Sequence, residues 1–377
     1  MNKILHVIWS GHVGGAETLL LPVLLEMQKY DDFEHHICIM SNEGVLVDVF
    51  RSHVKHVHVF HVNNGLKPVR ISKLHRLRPY IQLLRKEKFH IVHVHTSILM
   101  ILATKICSNS LVVFTNHGGS LLNQKSSLWK QRVSKLFIDH YIAISQYVLQ
   151  AMTEKLKISQ KHIDLIYNGL VPQEIIRSKT ELKHELGISQ SYNVVGTIGR
   201  LISLKGIQYL ISALPHLLDR LGAVKLLIIG DGPYMGELVQ LANQLQVQDH
   251  ILFLGFRTDA RQWLQAMDVF CFPSTGDGFG MVVLEAMDAG IPVVAYDHGA
   301  MREIIENGVN GYIVSPSFED LIEHIVAILS DPSISRKFTY NAKETIRSKF
   351  AMETMVQSTM SLYKRLIQRK NKGSSDE

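Results

Sequence analysis

Apolar residues in this chain fall into short continuous runs, separated by longer stretches in which they recur every third or fourth position. In the first half the runs are 4–9, 36–40, 57–61, 91–95, 111–115, 141–144 and 165–167. In the second they are 194–198, 225–229, 251–254, 269–272, 292–295 and 311–314. Short uninterrupted runs bounded by glycine, proline and polar clusters predict parallel strands buried on both faces, and the stretches between them predict crossover helices. The alternation is that of an α/β protein. Each set suffices for one doubly wound sheet, which binds ligands at the C-terminal ends of its strands. The polar, proline-containing stretch 169–181 reads as a linker, and 377 residues are long for a single core. The expected layout is a domain over 1–172, a second over 183–350, and a C-terminal helix in 351–377 that ends in a frayed GSSDE tail.

Residues 273–290 read PSTGDGFGMVVLEAMDAG. Pro273 marks the end of a buried strand, Asp277-Gly278-Phe279-Gly280 reads as a loop, and Met281 opens a helix that Gly290 closes. A glycine-rich turn feeding a helix N-terminus presents unpaired N–H groups and the positive end of a dipole, a site for a diphosphate. Asp277 in the loop and Glu285 two turns into the helix add two carboxylates. One can meet sugar hydroxyls beside the phosphates and the other a ribose, so the stretch suggests a nucleotide-sugar pocket.

Other strand ends carry matching chemistry. The run 194–198 leads into Gly199-Arg200, with Lys205-Gly206 five residues on. An arginine fork and a lysine point charge on one loop can clamp a diphosphate from two sides. His117 follows the run 111–115, and Gly118 frees the backbone beside it. After the first run comes Gly11-His12-Val13-Gly14-Gly15, which is not the G-x-G-x-x-G dinucleotide fingerprint. No G-x4-G-K-[ST] phosphate loop occurs either, so nicotinamide-cofactor and P-loop chemistry lose their main support.

The segment 273–290 resembles the signature of the retaining glycosyltransferases of family 4, two glutamates separated by seven residues around a Gly-Phe-Gly. Here the first acid is Asp277, one methylene shorter, giving Asp-x7-Glu. Gly199-Arg200, Lys205-Gly206, Leu254-Gly255-Phe256-Arg257 and the stretches 297–303 and 307–311 extend the likeness over nearly the whole chain. The resemblance implies the GT-B fold, two Rossmann-like domains facing across a cleft, and sugar transfer from a nucleoside-diphosphate sugar with retention. It implies that Arg200, Lys205 and the helix N-terminus at Gly278, Phe279, Gly280 and Met281 hold the diphosphate. Asp277 then binds the sugar hydroxyls, Glu285 the ribose and His117 the sugar near its anomeric carbon. Gly15 faces the cleft, and Arg257 borders the base. The donor expected is a UDP or GDP sugar, with no cofactor. No Asp-x-Asp pair is present, so no metal is expected at the donor site. GT-B architecture also serves phosphorylases, sugar-nucleotide epimerases and non-catalytic partner subunits; the intact basic pair and Glu285 favour the transferase.

Charge adds a hint about the acceptor. Residues 1–185 hold 23 Lys and Arg against 14 Asp and Glu, a balance of +9, and the remainder holds 17 against 20, or −3. The basic stretch 67–88 carries Arg78, Arg85, Lys86 and Lys88 among apolar positions, and 125–135 repeats the theme around Trp129. This suits peripheral contact with an anionic inner membrane face and a lipid-linked glycan or other carbohydrate acceptor, as in bacterial surface polysaccharide assembly. No nucleic-acid-binding motif is recognisable. Cys38, Cys107 and Cys271 sit in apolar runs and read as buried thiols of a cytoplasmic protein. No apolar run approaches the ~20 residues of a membrane span, and the N-terminus carries no export signal. Sixteen of the 20 histidines lie in the first half. The run His53, His56, His58 and His61 has no acid or cysteine beside it and reads as structural. His93 and His95 end a strand where the cleft is expected.

Overall fold

The computed structural model describes residues 1–9, 15–41, 44, 46–60, 77–95, 97–117 and 132–373. The loop 10–14, residues 67–76 of the basic stretch 67–88, most of 125–135, and the expectations for His61, Gly118 and the terminal tail lie outside the described residues. The chain divides into two compact units, Met1–Gly169 with Met352–Glu377, and Leu170–Ala351.

The first unit holds a sheet of β1 (Asn2–Ile8), β2 (Phe33–Ile39), β3 (His56–Val59), β4 (Ile91–Val94), β5 (Leu111–Asn116), β6 (His140–Ala143) and β7 (Ile163–Leu165). All pairings are parallel, in the order β3-β2-β1-β4-β5-β6-β7. The order reverses between β1 and β4, the switch point at which such sheets open a crevice. The second unit repeats the plan with β8 (Asn193–Ile198), β9 (Val224–Ile229), β10 (Ile251–Phe253), β11 (Val269–Phe272), β12 (Val293–Tyr296) and β13 (Tyr312–Val314). Its order is β10-β9-β8-β11-β12-β13, so its switch point lies between β8 and β11.

The strands form where the apolar runs predict, because the central ones are buried on both faces; β7 is displaced, spanning Ile163–Leu165 and sharing only Leu165 with the run 165–167, and the edge strand β3 is half-buried throughout. In the second unit Val195, Leu226, Ile228, Val269, Cys271 and Val294 meet Leu210, Ile211, Leu214 and Leu217 of the helix Ile207–Leu221. Each such side chain contributes about 1.5–3 kcal/mol by leaving water. The first helix of this unit, Lys179–Glu185, begins at a capping box in which Ser178 and Glu181 each satisfy the other's backbone N–H.

The first unit departs from the pattern in one respect. Histidines fill strand positions where aliphatic residues would be expected: His6, His35, His36, His93 and His140 are all buried. The polar run Glu34-His35-His36 hides the start of β2, which begins at Phe33 rather than 36, since Phe33 pairs with Asn2 and is buried. The C-terminal helix Met352–Gly373 belongs to this unit. It buries Val356, Met360 and Tyr363, places the Tyr363 hydroxyl 2.5 Å from His93 Nδ1, and pairs Lys364 with Asp32 at 2.8 Å. Cys38 and Cys271 are free, and burial pushes both thiols up from their ordinary pKa. Among the described residues no helix is long and apolar enough to cross a membrane.

Candidate active site

The switch point of the second unit gathers most of the predicted donor-side residues. β8 ends at Ile198, and Gly199 and Arg200 follow it directly. Arg200 is exposed and makes no side-chain hydrogen bond or ion pair among the described residues. The loop then turns through the 3-10 segment Ser203–Lys205 into Gly206, whose φ is +71°. A Cβ there would lie 1.9 Å from the Pro273 carbonyl oxygen, so only glycine lets this loop press against the end of β11. That approach brings Lys205 to Asp277: its Nζ lies 2.7 Å from each carboxylate oxygen. Ser274 Oγ donates to Asp277 at 2.6 Å, completing a small network. Lys205 and Asp277, which the sequence assigns to different parts of a donor, are therefore bound to each other.

The helix Met281–Asp288 opens beside this pair. Its N-cap, Gly280, is left-handed at φ +87° and offers no side-chain cap, so the first-turn N–H groups have no capping side chain. Gly278 and Phe279 are buried, and the Phe279 ring meets Phe350 edge-on at 5.8 Å. Glu285, one turn further along, is half-buried and has no hydrogen-bond partner for its carboxylate among the described residues. Burial raises its pKa, the Arg261 guanidinium offsets part of that rise, and Asp288 adds to it.

Arg257 is engaged elsewhere. Its guanidinium pairs with Asp259 at 3.0 and 3.2 Å and lies over the Trp263 ring, 5.0 Å from its centre. No contact joins it to Lys205, Asp277 or Glu285 among the described residues. Three residues in stretches that the sequence marks only by family likeness support Asp277. Ser274 orients Asp277; Gly299 packs so closely that a Cβ would sit 2.3 Å from the Asp277 carbonyl oxygen; and His298, its pKa lowered by burial, feels the Asp277 charge. Gly230 and Gly232 back the Arg200 loop in the same way, each replacing a clash with the carbonyls of Gly199 and Leu201.

In the first unit, His117 follows β5 and lies at the end of a row of imidazoles. His95 Nδ1 is 3.4 Å from His117 Nε2, His6 Nδ1 is 3.5 Å from His95 Nε2, and His6 Nε2 is 3.3 Å from His35 Nδ1. Burial lowers the pKa of His117 to about 4, so the ring is neutral at physiological pH. The rings of His6, His95 and His117 border a small apolar cavity that Met355 and Tyr363 also line. Gly15 begins the helix Gly15–Met27, and a Cβ there would meet nothing within 4 Å.

The two doubly wound units have counterparts among known proteins. Residues 13–174 match the family described as Glycosyltransferase Family 4, and residues 178–345 match Glycosyl transferases group 1. The chain belongs to the family 4 glycosyltransferases. It has the GT-B fold and is a hexosyltransferase-type enzyme of polysaccharide or glycan biosynthesis. A glycosyltransferase of Methanocaldococcus jannaschii, described as uncharacterized, is 33% identical over 59% of each chain. The UDP-Gal:α-D-GlcNAc-diphosphoundecaprenol α-1,3-galactosyltransferase of Escherichia coli is 24% identical over 96% of both chains. Among solved structures, Anabaena HepE in complex with UDP and glucose superposes with a TM-score of 0.84 at 25% identity, covering 97% of this chain and all of that one.

Proposed function

We propose that this glycosyltransferase moves a hexosyl group from a UDP or GDP sugar to a hydroxyl of a lipid-linked glycan, with retention of anomeric configuration. The product would serve bacterial surface polysaccharide assembly. The observation that carries the reading is the meeting, at one switch point, of the Lys205–Asp277 pair, the helix N-terminus at Gly280, which has no side-chain cap, and the Glu285 carboxylate, unpartnered among the described residues.

Arg200, Lys205 and the N–H groups from Gly278 to Met281 hold the diphosphate. Asp277, turned by Ser274, accepts from sugar hydroxyls, and Glu285 accepts from the ribose. His117, a neutral imidazole, is the residue we assign to the sugar near its anomeric carbon. Gly15 and Arg257 border the donor more distantly. As the bond between the anomeric carbon and the diphosphate oxygen breaks, its electron pair stays with the diphosphate, and a new bond forms to the acceptor oxygen, whose proton passes to that departing diphosphate oxygen. Arg200 and Lys205 stabilise the charge gained by the leaving group, the task a divalent metal performs in other transferases. The E. coli relative's diphosphoundecaprenol acceptor and the basic character of residues 1–185 support a lipid-linked acceptor at an anionic membrane surface.

The test is a transfer assay with labelled UDP and GDP sugars against lipid-linked oligosaccharides, with the anomeric configuration of the product read by NMR. An α-configured donor giving an α-linked lipid product supports the proposal. Transfer only to water-soluble acceptors, or inversion, would overturn the corresponding part of it.

A further inference from the structure

The histidines of β3 find partners on β2 that their own stretch of sequence lacks. The two strands run parallel with His36 opposite His56, so Glu34 and His36 of β2 share one face with His56 and His58 of β3. Glu34 Oε1 lies 2.7 Å from His36 Nε2 and 3.6 Å from His56 Nε2. The two imidazoles stack at 4.2 Å and 12°. On its other side, His36 Nδ1 is 3.0 Å from His58 Nε2, and Phe89 packs edge-on against the His36 ring.

We propose that Glu34, His36 and His56 form a binding site for one borderline-soft divalent cation of the Zn²⁺ type. One ligand atom from each lies within 4.8 Å of the others. A tetrahedral ion with bonds of 2.0–2.1 Å spaces its ligand atoms roughly 3.3 Å apart, a value that the 2.7 and 3.6 Å separations straddle. Two imidazoles to one carboxylate select Zn²⁺, Ni²⁺, Co²⁺ or Cu²⁺ over Mg²⁺ and Ca²⁺, which take oxygen ligands. Without an ion, a proton must lie between His36 Nε2 and the Glu34 carboxylate. A cation replaces that proton, and His36 then donates Nδ1–H to His58 Nε2, the supporting hydrogen bond usual for a metal-bound imidazole. The His36 side chain is 3% exposed and those of Glu34 and His56 are each 31% exposed, so one ligand is fixed while the other two face an ion arriving from solvent. Lys3 approaches Glu34 Oε1 to 3.9 Å but is anchored on Glu87 at 2.6 Å.

The site lies at the N-terminal ends of β2 and β3, the opposite end of the sheet from His117. An ion there would clamp the four-residue edge strand β3 to β2. The buried set His6, His93 and His95 is a weaker candidate, because Tyr363 and Thr115 already occupy both nitrogens of His93, and His35 and His95 those of His6.

The whole chain, prepared without an affinity tag and stripped with a chelator, is titrated calorimetrically with Zn²⁺ and separately with Mg²⁺. Co²⁺ loading is followed by its visible absorption. One Zn²⁺ per chain should bind, at least tenfold more weakly in Glu34→Gln and in His56→Gln, and unchanged in His53→Gln, whose exposed ring lies outside the set. Mg²⁺ should not compete, and the intense band of tetrahedral Co²⁺ should vanish in His56→Gln. The proposal is overturned if Zn²⁺ binds Glu34→Gln and His56→Gln as tightly as the unaltered chain. It is equally overturned if the unaltered chain binds no Zn²⁺, or if Mg²⁺ displaces it.

Discussion

Lys205 and Asp277 bind each other through two 2.7 Å contacts, and both side chains are about a quarter exposed. Ion pairs this close to solvent are worth about 1 kcal/mol or less, so a diphosphate can share the ammonium at little cost. Glu285 is the opposite case, a carboxylate whose pKa burial raises. For an acid with a raised folded-state pKa, the favourable contribution exists at low pH and is lost as pH rises through that value. At neutral pH the ionised group therefore costs stability. Glu285→Gln is expected to melt at a higher temperature than the unaltered chain at pH 7.5, with the gap closing as pH falls below the ordinary carboxyl range. The same variant should lose at least tenfold in nucleotide affinity. Thermal melts across pH beside a binding titration check both, and equal melting temperatures with full affinity would remove Glu285 from the ribose.

At the scale of elements, the strands of the first unit carry a load that aliphatic strands would not. Burial lowers the pKa of His6, His93 and His95 well below the usual value, and lowers His35 and His117 to about 4. The unfolded chain takes up these protons near pH 6.5, so the stability they allow is present above that pH and is lost as pH falls from 6.5 toward 4. Each histidine steepens the loss by up to about 1.4 kcal/mol per pH unit. Urea unfolding at pH 7.5, 6.5 and 5.5, with pulse proteolysis to identify fragments, should show residues 1–169 losing stability much faster than 170–351. Equal pH dependence of the two would contradict the burial of these rings. The same histidines explain what the linear pattern shows and hides. Apolar runs mark the strands of both sheets, displaced at β7, because burial of the central ones on both faces leaves a local trace. β2 is misplaced at its start because Glu34-His35-His36 looks like a loop until the pairing with β1 and β3 is known. At the site, the Asp277–Glu285 helix and Lys205 are legible from glycine and charge spacing. The Lys205–Asp277 contact and the close packing of Gly299 are not, since strand order and loop packing create them across 72 and 22 residues of sequence.

At the scale of the whole molecule, charge is unevenly distributed. The balance of +9 in residues 1–185 against −3 beyond them fits an enzyme that meets an anionic acceptor through one part and holds its soluble donor in another. Exposed Lys and Arg act on a membrane within a Debye length, about 8 Å at physiological salt. Co-sedimentation with vesicles containing phosphatidylglycerol should therefore be strong at low salt and weak above about 0.15 M, with little binding to zwitterionic vesicles. Salt-independent or lipid-indifferent binding would argue against an electrostatic contact.

In the proposed donor site the switch point between β8 and β11 holds a nucleoside diphosphate, with Lys205 on the phosphates and Asp277 on the sugar. Calorimetric titration of UDP, GDP and their hexose conjugates into the unaltered chain, Lys205→Ala and Asp277→Ala tests it directly. Lys205→Ala should weaken one free nucleoside diphosphate and its sugar conjugate alike, by tenfold or more. Asp277→Ala should leave the free diphosphate nearly unchanged and weaken only the conjugate. If both variants bind the diphosphate as the unaltered chain does, or if neither nucleotide binds the unaltered chain at millimolar concentration, the donor site is not where this account places it.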